Sequence, residues 1–209
     1  MTSSDELEDE LKILLILEAF ELNGRRSTSL ELLHAACYLT SALSPIFNLA
    51  VWQSAVLKRN GLPMLPAVQD AIDRSVARGT VEVVSFDVEK NFGSSLRASF
   101  RVRKAESAEA LRRALLFPED SAFYSLVSEV TASIRTDTLQ ELFQLDASYA
   151  DPRIGLHRMI ELSDGAAASR TADVARLFAS VASNKLSEGE QVNLYIGHLD
   201  RLARRRHNA

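Results

Sequence analysis

The sequence has a single cysteine and no long apolar run. One cysteine, Cys37, excludes an internal disulfide and a zinc site built from thiolates of one chain. Its neighbours are apolar, so we expect a small buried side chain. The longest apolar run, Ile13–Ile16 with its flanks, is broken by Lys12 and Glu18. It is far shorter than the roughly 20 residues of a membrane span, which predicts a chain with no membrane contact.

Recognisable catalytic motifs are also missing. The sequence contains no GxSxG, GxxxxGK[ST], GxGxxG or HExxH pattern. His157 and Glu161 come nearest to a metal-binding pair, on a helix predicted over 153–162, although a surface-paired histidine is the commoner case. We therefore expect that this chain is not an enzyme and that it has no catalytic, metal or cofactor site. We expect no small-molecule substrate either.

Composition is that of an ordinary globular protein, with 46% apolar and 25% charged residues. A net charge of −4 gives no general attraction to phosphate, so contact with nucleic acid would need a local basic patch. The chain opens with five acids between Asp5 and Glu10, the reverse of a basic signal-peptide start. These features predict a cytoplasmic location, in one large domain or two small ones.

Apolar periodicity and capping residues predict most of the helices. The first ends at Asn23-Gly24. The second is capped within Ser27–Ser29 and stopped by Ser44-Pro45, and a third spans about Phe47–Lys58. The remaining helices are predicted over 107–117, 121–135, 138–145, 153–162, 171–182 and 188–206, the last with a capping box formed by Ser187 and Glu190. The apolar run from Leu11 to Leu17 is wider than one helix face, so the first helix should be covered on two sides, one of which a partner could supply.

Between the two groups of helices lies a helix followed by a hairpin. The spacing of apolar residues predicts a helix over Leu65–Arg78, then strands over Val81–Val88 and Leu96–Val102 around a turn at Asn91–Gly93. This is the order of a winged-helix module, which binds either nucleic acid or protein. We therefore predict an α+β, mostly α chain, with a winged-helix-like domain over 1–104 and a helical domain over 105–209.

The hairpin carries more basic than acidic residues. Its cations are Lys90, Arg97, Arg101, Arg103 and Lys104. They could contact phosphates, or they could solvate an edge hairpin and deter pairing between edges. Asp70 and Asp73 belong to the exposed face of the preceding helix, where they would repel phosphates. That charge disfavours sequence-specific binding in the major groove.

A second basic group closes the chain. It consists of Arg201, Arg204, Arg205 and Arg206. These side chains could bind DNA or an acidic partner surface. They could equally stabilise a helix C-terminus and keep the end of the chain soluble.

Three segments carry a resemblance to a known family, limited mainly to positions 7–103. They are Leu11–Leu17, Ala42–Phe47 at the end of the second helix, and Leu62–Pro66 leading to Arg78–Val83. Together they resemble the middle component of ABC three-component conflict systems, to which Lamassu-type antiphage systems belong. The resemblance implies a small winged-helix protein that attaches to an SMC-like ABC ATPase and links it to an effector, often a nuclease. That family has no catalytic motif, so it implies no functional residues.

Two functions remain open on the sequence alone. The first is a non-catalytic accessory or adaptor subunit that bridges an SMC-like ATPase and an effector protein in antiviral defence, with DNA contacted through the complex. The alternative is a winged-helix DNA-binding transcription regulator, for which the basic hairpin is the direct support.

Overall fold

The computed structural model describes residues 4–59, 61–89, 95–103, 118–162, 169–182 and 185–208. The fold is α+β and 58% helical, which confirms the predicted class. The helices are α1 (Ser4–Leu22), α2 (Leu30–Leu43), α3 (Pro66–Ala77), α4 (Pro118–Ala132), α5 (Leu139–Phe143), α6 (Arg170–Ser180) and α7 (Glu188–His207). The strands are β1 (Thr28–Ser29), β2 (Ala55–Arg59), β3 (Leu62–Met64), β4 (Val81–Glu89), β5 (Ser95–Val102) and β6 (Met159–Glu161).

The described strands form two small antiparallel sheets. One has the order β1-β5-β4 and contains the predicted hairpin, and the other has the order β3-β2-β6. The turn predicted at Asn91–Gly93 lies outside the described residues. The first sheet packs on α1 and α2, with Phe100 and Val102 buried. The hairpin is therefore anchored at its base by the helical core.

Local signals locate α1, α2 and α7 correctly. α1 ends at Leu22, and Gly24 follows with a φ of +84°, a conformation that favours glycine. The Ser29 side chain accepts from the Leu32 N–H at the start of α2. α2 passes into a 3₁₀ turn over Ser44–Phe47, and Ser187 and Glu190 form the predicted capping box of α7. Cys37 is fully buried in α2, as predicted.

One segment, Leu30–Phe47, is long and apolar enough to cross a membrane by length and composition. It has a mean hydropathy of 1.2, and 78% of it is buried inside the fold. A mostly buried core helix of a folded domain has the same length and composition.

The helix predicted over Phe47–Lys58 is wrong. The 3₁₀ turn ends at Asn48, which adopts a left-handed conformation (φ 56°), and Ala55–Arg59 is strand β2. Trp52 lies between them, and its indole N–H donates to Asp9 at 2.6 Å. β2 pairs on one side with β3 and on the other with β6, so its conformation depends on a strand about a hundred residues away in the chain.

The helix predicted over 153–162 is also wrong. The Asp151 side chain accepts from the Arg153 N–H at 2.9 Å and starts a turn, and His157 has a positive φ of 60°. Met159–Glu161 then forms β6, with Ile160 opposite Val56. His157 and Glu161 consequently do not share a helix turn, which removes the geometry proposed for a metal pair.

The chain buries one hydrophobic core to which both predicted halves contribute. α4 packs against α1 and α2, and β6 completes the sheet of β2 and β3. The apolar run of α1 is covered by α3 on one side and α4 on another, so this chain itself supplies both covers. The predicted boundary at residue 104 and the helix over 107–117 lie outside the described residues.

A buried carboxylate organises the contact between α2 and the second half. Asp146 is fully buried and accepts hydrogen bonds from the hydroxyls of Tyr38 (2.5 Å), Tyr195 (2.9 Å) and Thr171 (2.9 Å). It also accepts from the N–H groups of Ser148 (3.2 Å) and Tyr149 (2.9 Å). With donors from α2, α6 and α7 around it, Asp146 fixes the relative positions of these helices.

Candidate functional site

The outward face of α3 carries acids, as the sequence predicts. Asp70 and Asp73 are exposed, and Asp73 accepts from the Gln69 side chain at 3.0 Å. Gln69 also lies 3.3 Å from the buried ring of His34. The middle of the helix that would enter a DNA groove therefore presents negative charge.

The basic residues Arg74 and Arg78, at the C-terminal end of α3, form ion pairs with a buried carboxylate. Glu10 of α1 is fully buried, and its carboxylate lies 3.2 Å from Arg74 Nε and 3.4 Å from Arg78 Nη1. Burial raises the pKa of Glu10 above its usual value, while Arg78 and Arg74 act in the opposite direction. Both arginines thus neutralise a carboxylate at the α1–α3 contact, and they strengthen the case against α3 as a DNA-reading helix.

The polar face of the hairpin is paired across its two strands. Arg101 makes a bidentate ion pair with Glu82 (3.0 and 3.1 Å), and Arg97 lies in register with Asp87. Between these pairs the hydroxyls of Ser85 and Ser99 are 2.6 Å apart. Two of the predicted cations therefore face acids on the neighbouring strand, which reduces the net charge of this face.

The other face of the hairpin is apolar and continues beyond the core. Val81 and Ala98 on this face are buried, whereas Val83 and Phe86 are 40% and 64% exposed. A bulge at Val84, between Val83 and Ser85, shifts the register here. β4 is also the edge strand of its sheet, so one row of its backbone groups has no strand partner among the described residues. Exposed apolar side chains on an unpaired edge are typical of a surface that another protein covers.

An arginine-lined groove lies at the base of the hairpin. Its volume is about 710 Å³, and it is lined by Glu21, Gly24, Arg25, Arg26, Glu82, Arg101, Val102 and Arg103. The predicted site residues Arg101 and Arg103 thus meet two arginines from the α1–β1 turn. Glu21 accepts the Val102 N–H at 3.2 Å, and Glu82 is held by Arg101. Both acids of the groove already have partners, whereas the exposed Arg26 and Arg103 make no ion pair within the described residues.

Arg25 connects this groove to the second half. Its Nε donates to the carbonyl of Ala132 at 2.7 Å, and its Nη2 donates to that of Ile134 at 2.6 Å. These acceptors lie at and just after the C-terminus of α4, where carbonyls lack helical partners. Burial lowers the pKa of Arg25 from its usual value. Arg25 therefore acts as a cap on α4, leaving the neighbouring Arg26 directed to solvent.

The basic C-terminal group lies on the last turns of α7. Arg201, Arg204, Arg205 and Arg206 are all exposed. Arg204 pairs with Asp200 at 2.8 Å and donates to the carbonyl of Ser133 at 3.4 Å. The other three make no ion pair within the part of the chain that the structure describes. Cations at this end of the helix complement its dipole.

Some of the predicted residues remain without a structural account or are separated. Lys90 and Lys104 lie outside the described residues. His157 and Glu161 are both exposed. In the described residues no group of three or more histidine, cysteine, aspartate or glutamate side chains is placed to hold a metal ion.

Sequence reasoning missed Glu10, Arg25 and Arg26. Glu10 precedes the buried Ile13 and Leu14 by three and four positions, so it belongs to the apolar stripe of α1. A carboxylate on a buried stripe requires a cationic partner, and that position was the available signal. Nothing local indicates the role of Arg25 or Arg26, because their neighbours come from β5 and α4.

Comparison with protein-family models, with curated proteins and with solved structures gives no match for this chain.

Proposed function

We propose that this chain is a non-catalytic adaptor subunit of an SMC-like ABC ATPase complex in bacterial antiphage defence. The observation that carries the proposal is the pairing of Arg74 in α3, and of Arg78 just after it, with a buried carboxylate. Arg74 and Arg78 bind the buried Glu10, while Asp70 and Asp73 face solvent. A module whose third helix presents acids is poorly suited to a DNA groove, which favours contact with protein through its hairpin.

Residues 1–104 form the proposed winged-helix-like module. The order of elements supports this assignment, because α3 is followed through Gly79 by the β4–β5 hairpin and β1 adds a short strand to the same sheet. The resemblance of positions 7–103 to the middle component of ABC three-component systems supports the identity of the partner. In this account the module attaches to the ATPase.

The hairpin is the proposed docking face for the ATPase. Val83 and Phe86 are exposed on its apolar face, and the outer edge of β4 can accept an additional strand from a partner. The effector would contact the second half. There, Leu177 in α6 and Val181 just after it are exposed and lie one helix turn apart. Two surfaces on one chain would allow it to bridge two proteins.

Co-elution with a candidate ATPase encoded next to this chain tests the proposal. We expect the two purified proteins to form a stable complex in size-exclusion chromatography, and Phe86→Ser to weaken it at least tenfold. Leu156→Ser is the matched control, because Leu156 is 61% exposed and Phe86 is 64% exposed. Absence of a complex, or equal loss with both variants, would contradict docking through the hairpin.

A DNA-binding regulator is the second candidate, and the arginine groove beside the hairpin favours it. Such a regulator would bind one duplex sequence more tightly than others, and Arg97→Glu combined with Arg101→Glu would abolish the mobility shift. Equal affinity for unrelated duplexes, or no binding to any, would reject a regulator and leave the adaptor in place.

A further inference from the structure

The hairpin groove and the C-terminal arginines of α7 meet at one short segment of the chain. Arg25 donates to the carbonyls of Ala132 and Ile134, and Arg204 donates to the carbonyl of Ser133 between them. Two guanidinium groups from distant parts of the sequence thus bind three consecutive residues. Because adjacent Cα atoms are about 3.8 Å apart, the two basic groups are brought to the same corner of the molecule.

The exposed cations on both sides of this corner are free to contact a ligand. Arg26 is adjacent to Arg25 in the chain and lines the groove with Arg103. On α7, Arg201, Arg204 and Arg205 follow the spacing of one helix face, so the contact of Arg204 with Ser133 places that face beside the segment 132–134. Neither Arg26, Arg103, Arg201 nor Arg205 makes an ion pair within the described residues.

We propose that this arginine surface, which runs from the groove at Arg26 and Arg103 across the 132–134 segment to Arg201 and Arg205 of α7, binds the sugar-phosphate backbone of nucleic acid. A single small anion would engage only one of the two arginine groups, whereas a chain of phosphates can contact both. The planar guanidinium group matches phosphate oxygens in a bidentate geometry. Arginine contacts to phosphate oxygens carry no sequence information, so we expect binding that is independent of sequence.

This function goes beyond docking on an ATPase and is tested without one. The probe is a fluorescein-labelled duplex of about 30 bp and its single strand, titrated with the full chain in anisotropy measurements. If about four phosphates are neutralised, the affinity falls roughly 100-fold between about 50 mM and about 200 mM salt. Two duplexes of unrelated sequence should bind within about threefold of each other.

Two charge-reversal pairs separate a joined surface from isolated arginines. Arg26→Glu with Arg103→Glu alters the groove, and Arg201→Glu with Arg205→Glu alters α7. Each pair should weaken binding at least tenfold at low salt and lower the salt dependence, because each removes phosphate contacts. The corresponding substitutions to glutamine should also weaken binding, but less than the substitutions to glutamate.

The control variant carries the same change in net charge at two exposed residues outside the proposed surface. Lys185→Glu with Arg158→Glu alters two exposed residues. Lys185 precedes α7, whose first residue, Glu188, lies about 20 Å along the helix axis from Arg201 and about 26 Å from Arg205. It should change affinity by less than about threefold. No binding of either probe at low salt, an effect confined to one of the two test pairs, or an equal effect of the control would overturn the proposal.

Discussion

Arg74 of α3 lies 3.2 Å from the buried carboxylate of Glu10 on α1, and this ion pair connects the two helices. A charge inside a protein is tolerated only with a partner, and removing one member of a buried pair leaves the other uncompensated. The pair also determines the character of the outward face of α3, because it withdraws positive charge from that face. The same contact therefore affects both the stability of the fold and the charge of this surface.

Replacing Arg74 should destabilise the fold far more than replacing an exposed arginine. We expect Arg74→Met to lower the free energy of unfolding by about 3 kcal/mol, with protonation of Glu10 limiting the loss. Arg101→Met is the control, since Arg101 also pairs with a glutamate but is about half exposed; it should cost less than about 1 kcal/mol. Urea denaturation at pH 7 measures both. Equal losses would show that Glu10 does not depend on its partner.

Asp146 should be the most sensitive polar residue of the core. Asp146→Asn replaces one acceptor oxygen by a donor, which would point at the hydroxyl and N–H donors that surround the carboxylate. We expect a loss of about 3 kcal/mol. Asp137→Asn, at an exposed ion pair with Arg135, should leave the unfolding midpoint nearly unchanged. A similar midpoint for both variants in chemical denaturation would contradict the structural role of Asp146.

His34 should make the fold sensitive to mild acid. Burial lowers its pKa from 6.5 to about 4, its Nδ1 accepts the Leu65 N–H, and its Nε2 bonds Gln69. The unfolded chain binds a proton near pH 6.5 and the folded chain only near pH 4, so stability is lost as the pH falls through this window. The loss should approach about 3 kcal/mol.

The pH profile of a His34→Asn variant isolates this contribution. Glu10 has the opposite effect, because its raised pKa means that stability declines as the pH rises through its titration. Both proteins retain Glu10, so its effect cancels in the difference between them. Parallel profiles from pH 7 to pH 4 would show that His34 is protonated as easily in the folded chain as in the unfolded one.

The capping box of α7 should contribute measurably to stability. Ser187 accepts from the Glu190 N–H, and the Glu190 carboxylate accepts from the Ser187 N–H at 2.8 Å. Ser187→Ala should cost about 1 kcal/mol by loss of this cap. Ser180→Ala, which removes a hydroxyl bonded to the Leu177 carbonyl at the end of α6, should stay within about 0.5 kcal/mol. Thermal unfolding distinguishes the two outcomes.

Local chemistry accounts for the elements that the sequence predicts well. Ser29, Gly24, Gly79 and the Ser187–Glu190 pair act within a few residues of the helix ends they define, so their effect is visible without a structure. Strand β2 is different, because its conformation depends on pairing with β6 about a hundred residues later. No local pattern in Ala55–Arg59 contains that information.

In the candidate site, too, some features follow from the local sequence and others depend on tertiary contacts. The acidic residues of α3 and the arginines of the hairpin and α7 were found from their positions in the sequence. Tertiary structure was required for the pairing of Arg74 and Arg78 with Glu10. It was also required for the Glu82 partner of Arg101 and for the contacts of Arg25 with Ala132 and Ile134. Which cations remain exposed therefore depends on which acids and carbonyls the fold brings near them.

Amide hydrogen exchange of this chain, alone and with a candidate SMC-like ATPase, tests the central claim most directly. The account predicts protection of peptides from β4 (Val81–Glu89), because the unpaired edge and the side chains of Val83 and Phe86 become covered. Peptides from α3 (Pro66–Ala77) should exchange unchanged. Protection of α3 without protection of β4, or no protection anywhere in the chain, would contradict an adaptor that docks through its hairpin.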